Sequence, residues 1–261
     1  MKELSKIIIQ SSNNGISRIK LNEPSTYNAL SLNTLKLLIK SFKSFNDDEK
    51  TKVIIIEGSG KGFSGGHDLK EINSLKGKAD YQKLFNLCSE LMMNIVHNSK
   101  PVIAKVHGAA FAAGCQLVAT CDLALSTNEA IFATPGVNIG LFCSTPMVAV
   151  SRNVNRKTIM KMLLTGETIS AQYAKEIGLI NDHFESSRLD EEVLKLAETI
   201  VSKPTKVVKI GKEAFYKQLE MPLKEAYEYT SEIMSENMMT VDAKEGISAF
   251  IEKRIPNWKN K

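Results

Sequence analysis

The sequence predicts an α/β protein with a parallel sheet, and three features carry that expectation. Apolar runs of strand length alternate with helical stripes through the first 145 residues. Two of the runs, Val53-Ile54-Ile55-Ile56 and Pro101-Val102-Ile103-Ala104-Lys105-Val106, are apolar almost throughout, as strands covered on both faces must be. Two glycine-rich turns follow such runs about one supersecondary unit apart: Phe63-Ser64-Gly65-Gly66-His67-Asp68-Leu69-Lys70 and Gly108-Ala109-Ala110-Phe111-Ala112-Ala113-Gly114-Cys115-Gln116.

In chain order, residues 7–9 and 16–21, parted by Ser11-Ser12-Asn13-Asn14-Gly15, read as a hairpin with a polar turn. Ser31 is placed to cap a helix with the apolar stripe Leu32, Leu35, Leu38, Ile39 and Phe42, which ends in Asn46-Asp47-Asp48-Glu49-Lys50. The Val53 strand and the first turn come next. Leu84, Leu87, Cys88, Leu91, Met92 and Ile95 form a helical stripe, and Pro101 opens the strand that delivers the second turn. Residues 113–120 read as a buried helix start, and residues 123–126 and 130–132 as strands joined by right-handed crossovers. Beyond Thr145 the pattern is helical, over residues 146–154, 156–165, 170–177, 190–202, 205–219 and 223–238, with Ser170 and Asp190 as caps and little strand pattern. No repeat or low-complexity linker is legible. The organisation expected is a core over residues 1–200 followed by a helical C-terminal region over residues 201–261.

Composition narrows the function classes. A chain of 261 residues with 43% hydrophobic content can bury a sizeable core. No apolar run reaches the roughly 18 residues of a membrane helix, since Lys105, His107, Gln116 and Asp122 interrupt even residues 102–125. The start, Met1-Lys2-Glu3-Leu4-Ser5-Lys6, shows neither a signal-peptide core nor a transit-peptide pattern, so a cytoplasmic protein is expected. The net charge of +5 is spread, with one dense basic patch running from Lys253-Arg254 through Lys259 to Lys261. Without a basic stripe or recognisable module, nucleic acid is not an expected partner, and a phosphate-bearing small molecule fits the charge as well. Cys88, Cys115, Cys121 and Cys143 lack zinc spacing and read as buried thiols, with Cys143 kept open as a site residue; no metal is expected.

The turns carry the chemistry. Small residues let two backbone segments approach closely, and the first amides of a helix lack intrahelical acceptors. Two such amides can grip one oxygen, which is the form of an oxyanion hole. Neither turn, nor residues 132–144, offers a carboxylate poised for the proton transfer that usually accompanies such a hole. Asp68 is placed to cap the helix after the first turn.

These segments, in this order, resemble the crotonase (enoyl-CoA hydratase/isomerase) superfamily over nearly the whole chain. The resemblance rests on the two turns, Asn22-Glu23-Pro24 with Asn28-Ala29-Leu30, Val53-Ile54-Ile55-Ile56, Cys121-Asp122-Leu123, Leu164-Thr165-Gly166-Glu167-Thr168-Ile169-Ser170-Ala171 and Ala249-Phe250-Ile251-Glu252-Lys253-Arg254. It implies a crotonase (ClpP-like) fold of repeated ββα units with a helical C-terminal trimerisation region. Gly66-His67-Asp68-Leu69-Lys70-Glu71, residues 113–119 and residues 132–146 look most like one branch whose members are commonly named hydratases.

Position by position, the resemblance makes the amides of His67 and Ala113 the oxyanion donors, Ala113 standing where a glycine is usual. An alanine there costs nothing chemically if its φ is negative. The two glutamates of hydratases fall on Gln116 and Gly136, and the isomerase glutamate falls near Ser144. The resemblance therefore implies an acyl-CoA enzyme of enoyl-CoA hydratase type, a lyase, lacking its usual acids. Two alternatives stand beside it: a malonyl-type acyl-CoA decarboxylase, in which the His67 ring or the Asn138 amide orients a carboxylate, and a catalytically silent acyl-CoA binder. The His67 ring either takes part in chemistry or packs outward, leaving only its amide in use. Cys143 serves in acyl transfer or simply packs. Gln116 bonds an acyl or water oxygen or fills the place of the lost acid. Coenzyme A enters as part of the substrate, not as a separate cofactor, against Ser25, Tyr27, Gly65, His67 and Leu69. Lys70 faces phosphate or is merely solvated, and Phe250 and Lys253 complete the site, often from a neighbouring subunit. A homotrimer or dimer of trimers is implied, and the Met234, Met238 and Met239 region suits such an interface or ordinary packing.

Overall fold

A computed structural model of the chain describes residues 6–11 and 14–259. The opening hexapeptide but for Lys6, the Ser12-Asn13 part of the polar turn, and Lys261 of the basic patch lie outside the described residues.

β1 (Ile7–Ser11) and β2 (Ile16–Leu21) form the expected antiparallel hairpin. α1 (Leu32–Asp47) starts where Ser31 accepts a hydrogen bond from the Thr34 N–H at 3.3 Å. β3 (Val53–Gly58), β4 (Gly62–Ser64), α2 (Leu69–Ser74) and α3 (Lys78–Val96) follow. Asp68 caps α2, accepting from the N–H groups of Lys70 at 2.9 Å and Glu71 at 3.2 Å. β5 (Val102–Val106), β6 (Ala109–Phe111) and α4 (Ala113–Thr120) form a second unit, and β7 (Leu123–Thr127), β8 (Ile131–Ala133) and α5 (Ser144–Val150) a third.

Each ββα unit gives its first strand to one sheet and its second to another. The larger sheet runs β1-β2-β3-β5-β7-β10, with β10 at Asp182–Phe184, and the smaller β4-β6-β8-β9, with β9 at Ile169–Ser170. Within the large sheet every pair after the hairpin is parallel, with Ile54 opposite Val102 and Ile55 opposite Ile103. The repeat invisible in the sequence is thus present in space. All six residues of β3 are buried because the strand serves two cores. Ile54 and Ile56 pack with α1 and α3, whereas Val53 and Ile55 pack with Leu189, Val193 and Ala197 of α8 (Leu189–Val201).

The helical second half holds α6 (Arg156–Thr165), α7 (Ala171–Glu176), α8, α9 (Thr205–Gln218), α10 (Leu223–Met238) and α11 (Val241–Ile251). Four sequence expectations need correction here. The helix expected over 146–154 is α5, which starts at Ser144 and stops at Val150. Strands β9 and β10 occur in a region where the sequence shows little strand pattern, being two and three residues long and too short to show a period. α11 lies beyond the helices the sequence pattern marks, since its Val241, Ile247, Phe250 and Ile251 stand exposed instead of forming a buried stripe. Asp190 lies in the first turn of α8 and not at its cap; it bonds Arg18 at 2.9 Å and Lys105 at 2.6 Å, fastening the helix to the sheet.

A buried ion pair joins α9 to the core. Lys212 Nζ lies 2.6 Å from Asp122 and donates to the Ile95 and Lys100 carbonyls at 3.0 Å, while Tyr216 donates to the same carboxylate at 2.9 Å. Removing one partner of such a pair typically costs about 3–5 kcal/mol. Among the described residues, no helix is long and apolar enough to cross a membrane, and no group of His, Cys, Asp or Glu could hold a metal ion.

Candidate active site

The two glycine turns leave the C-terminal ends of β4 and β6, neighbouring parallel strands paired at Gly62 with Ala109 and Ser64 with Ala110. They therefore emerge side by side. Gly66 has φ +92°, and a Cβ there would sit 3.0 Å from the Phe111 carbonyl oxygen and 3.2 Å from the Ala113 nitrogen. At Gly114 a Cβ would lie 2.2 Å from the Ser64 carbonyl oxygen. No side chain fits between the segments at Gly114, and at Gly66 the left-handed φ and the tight approach together favour glycine. Ala113 opens α4 and is not among the residues of positive φ; the left-handed conformation falls one residue earlier, on Ala112 at φ +47°. Ala112 is held by its N–H, which donates to the Ala133 carbonyl at 2.9 Å. Among the described residues the amides of His67 and Ala113 have no protein acceptor.

A third segment clamps the first turn. Asn28, buried and at φ +54°, donates through Nδ2 to the carbonyls of Ser59, Gly62 and Phe63. The Gly65 N–H donates to Tyr27 at 2.8 Å, the Leu30 N–H to Gly66 at 2.7 Å, and the Leu32 N–H to the Glu71 carboxylate at 2.8 Å. Asn28, Leu30 and Glu71 were not singled out by chemistry in the sequence. Their role is to fix another segment's backbone, and only the Asn28-Ala29-Leu30 string marked the place.

The His67 ring packs inward and not outward. Its Nδ1 lies 3.1 Å from the Leu30 carbonyl oxygen, and its ring meets Phe85 of α3 edge-on with centroids 5.5 Å apart. A carbonyl can only accept, so Nδ1 carries the hydrogen and a neutral ring keeps its lone pair at Nε2. Nε2 is buried without a partner. Burial pushes the ring's pKa below its ordinary 6.5, against the opposing pull of the Leu30 carbonyl and the Glu71 charge.

The two positions onto which the resemblance carries the hydratase acids, Gln116 and Gly136, hold a neutral amide and a residue with no side chain. Gln116, 4% exposed, places its Oε1 3.8 Å from the Cys88 thiol, which donates to it. A Cβ at Gly136 would lie 2.7 Å from the Leu141 carbonyl oxygen and 3.0 Å from Cys143 Sγ. The loop after the short 3-10 turn at Pro135–Ile139 thus fills the space in which a glutamate would stand. Cys143 packs there, accepting the Gly136 N–H at 3.3 Å, and burial raises its thiol pKa. Ser144 is exposed and donates back to the Phe142 carbonyl at 3.3 Å, and Asn138 is exposed beside Gly166.

Ser25, Tyr27, Gly65, Leu69 and Lys70 all stand exposed on the segments that meet at the first turn. Phe250, 86% exposed, and Lys253 lie at the end of α11, which packs on α10 and is pinned through Trp258 to the Ser202 carbonyl. Those contacts do not join the two residues to that rim within one chain.

Comparison with known proteins agrees with this fold. The chain matches the Enoyl-CoA hydratase/isomerase family over residues 11–261. It is 48% identical over 244 residues to the rat mitochondrial enoyl-CoA hydratase domain-containing protein 3, covering 94% of this chain and 81% of that protein. The human protein of that name has the same identity over the same length, and its crystal structure superposes with a TM-score of 0.94 at 46% identity over 97% of this chain and all of that one. An enoyl-CoA hydratase structure from Mycobacterium smegmatis gives 0.96 at 45% identity, covering 97% and 99%. The sequence branch singled out above is therefore that of domain-containing protein 3.

The expected cytoplasmic placement is overturned, because these curated relatives are named mitochondrial, as is the orangutan enoyl-CoA hydratase at 34% identity. Compartment is read by receptors from an address segment, and the packing of a catalytic core does not encode it. In fold, motif order and the meeting of its two turns, this chain belongs to the enoyl-CoA hydratase/isomerase, or crotonase, family.

Proposed function

We propose that the protein binds an acyl-CoA thioester and holds its carbonyl oxygen, as it becomes an enolate, on the amides of His67 and Ala113. The observation that carries this reading is the convergence of the two turns, with the Ala113 nitrogen 3.2 Å from where a Gly66 Cβ would be. Donors that need no reorganisation as charge develops are the largest single contribution in many enzymes. The rim residues Ser25, Tyr27, Gly65, Leu69 and Lys70 fit the role of receiving the coenzyme A portion. The relatives are named hydratases, yet hydration by a carboxylate pair does not suit Gln116 and a closed position 136. The decarboxylase alternative is weakened by the ring, since a substrate carboxylate wants a donor and the neutral His67 offers a lone pair.

An assembly of like subunits suits the same reading. Tyr227, Met234, Met239, Phe250 and Ile251 are at least 60% exposed along the C-terminal helices, more apolar surface than one chain covers by itself.

The test uses bound butyryl-CoA and the infrared stretch of its thioester carbonyl. Two donors lower that frequency relative to water. Ala113→Pro removes one N–H at a first helical position, where proline is tolerated, and should reverse much of the shift. An unshifted carbonyl in the wild-type complex, or no saturable binding, refutes the proposal.

A further inference from the structure

The C-terminal helices meet the core through polar atoms more than through apolar ones. Among the described residues, neither apolar core includes a residue beyond Val201. Along α9, α10 and α11 the buried residues are Lys212, Ala214, Ala226, Asp242 and Ala249, so each buried apolar side chain there is a single methyl group. Lys212 is the long side chain that enters. Its ammonium has three N–H groups and meets three acceptors: the Ile95 carbonyl at the end of α3, the Lys100 carbonyl before β5 and the Asp122 carboxylate before β7. Asp122 also accepts the Val102 N–H of β5 at 2.7 Å and the Tyr216 hydroxyl at 2.9 Å. The pair is thus fully hydrogen-bonded, and several core segments converge on one turn of α9. Losing either partner would leave a buried charge uncompensated.

The same helices are tied to one another. Lys217 Nζ lies 4.4 Å from the centroid of the Tyr229 ring, joining α9 to α10. The tail after α11 folds back on that helix. Arg254 bonds both carboxylate oxygens of Glu245, the Asn257 N–H donates to Glu245 at 2.7 Å, and the Lys259 N–H donates to Asp242 at 2.6 Å. Trp258 lies against Gly246, where a Cβ would come within 3.2 Å of its ring.

We infer that α9, α10, α11 and the tail form one unit that opens from the core before the core unfolds, and that the Lys212–Asp122–Tyr216 cluster is the latch that closes it. Segments with few buried apolar contacts open at a free energy below that of global unfolding. β3, buried along its whole length between two apolar cores, stands at the other extreme. The exposed Tyr227, Met234, Met239, Phe250 and Ile251 all ride on this unit, so the latch decides where that apolar surface is presented.

The experiment is hydrogen exchange of the full chain, read by mass spectrometry on peptides from α9, α10 and α11 and from β3 and β5. In the wild type the three helices should exchange together and at least about 10-fold faster than the two strands, after correction for intrinsic rates. Lys212→Met should speed exchange of the helices about 10²–10³-fold. Tyr216→Phe keeps the ion pair and removes one donor, and should speed it by about 10-fold. Arg152→Ala, at the exposed 3.5 Å contact with Glu220, should leave the helices within about 3-fold of the wild type. Helices that exchange no sooner than β3 and β5 in the wild type overturn the separate unit. Unchanged exchange in both Lys212→Met and Tyr216→Phe overturns the latch, and a Lys212→Met chain whose strands exchange as fast as its helices overturns both.

Discussion

Gly114 is where the meeting of the turns is most exposed to a single methyl group. In Gly114→Ala the new Cβ would lie 2.2 Å from the Ser64 carbonyl oxygen, about 1.2 Å inside ordinary contact, and 2.9 Å from both the Ser64 carbonyl carbon and Cβ. The obstacle is backbone of β4, which cannot rotate away as a side chain would, so α4 and β4 must separate. Overpacking of this kind costs ~1–3 kcal/mol. Alanine in a helix recovers about 1 kcal/mol over glycine. With the clash at the upper end, the net loss is about 2 kcal/mol, or roughly 4–8 °C in Tm for a chain of this size. Gly211→Ala in α9 is the matched control, because its Cβ meets nothing within 4 Å. There only the helix gain remains, and Tm should rise by roughly 2–4 °C. The separation also moves Ala113, next in chain, away from His67; a displacement of about 1 Å in such a site costs on the order of 10² in rate. Thermal unfolding by circular dichroism, with the carbonyl shift of bound butyryl-CoA, measures both effects. If Gly114→Ala melts with or above the wild type and keeps the full carbonyl shift, the close approach does not shape the site and the argument fails.

Restoring glutamates should not create a hydratase: Gln116→Glu with Gly136→Glu is expected to stay within 10-fold of wild type in consuming crotonyl-CoA, because the Leu141 carbonyl and Cys143 occupy the second position. A gain of about 10²-fold would show that the loop yields. The pH dependence of stability has a defined direction. Burial lowers the pKa of both His67 and His107 below 6.5, so the unfolded chain binds more protons beneath that value and the two contributions, complete above it, are lost as pH falls through the folded values. Tm should therefore fall on going from pH 7.5 to 5.5, and less steeply in His67→Asn; a flat profile in the wild type contradicts this. The carboxylates held low, Asp48, Asp182, Asp190 and Glu245, act only below about their ordinary 3.8 to 4.5 and leave that window clear. Burial pushes the Cys88 and Cys115 thiols up to about 12 and raises those of Cys121 and Cys143, all four being buried. A disulfide reagent should label none of them rapidly until the chain unfolds.

Several elements could be read locally because their signals are local. Ser31 capping α1 and Asp68 capping α2 involve partners two or three residues away. The apolar runs of β3 and β5 announce burial on both faces in their own composition. Asp190 misled because an acid beside a helix start resembles a cap in sequence, whereas here two cations from the sheet claim it. β9 and β10 escaped notice since pairing with β8 and β7, and not their own pattern, makes them strands.

The candidate site divides along the same line. The meeting of its two turns was legible, since small side chains mark where backbones must approach. The absence of carboxylates was equally plain from Gln116 and Gly136. Where the His67 ring points, which of its nitrogens bears the hydrogen, and whether a side chain fits at position 136 depend on Leu30, Phe85, Leu141 and Cys143. Sequence alone determined the fold class and the place of the two small-residue turns, because backbone chemistry and hydrophobic period are written residue by residue. Tertiary structure alone decided the tautomer of His67 and the closing of the space at Gly136, because both arise from atoms distant in the chain competing for the same few ångströms.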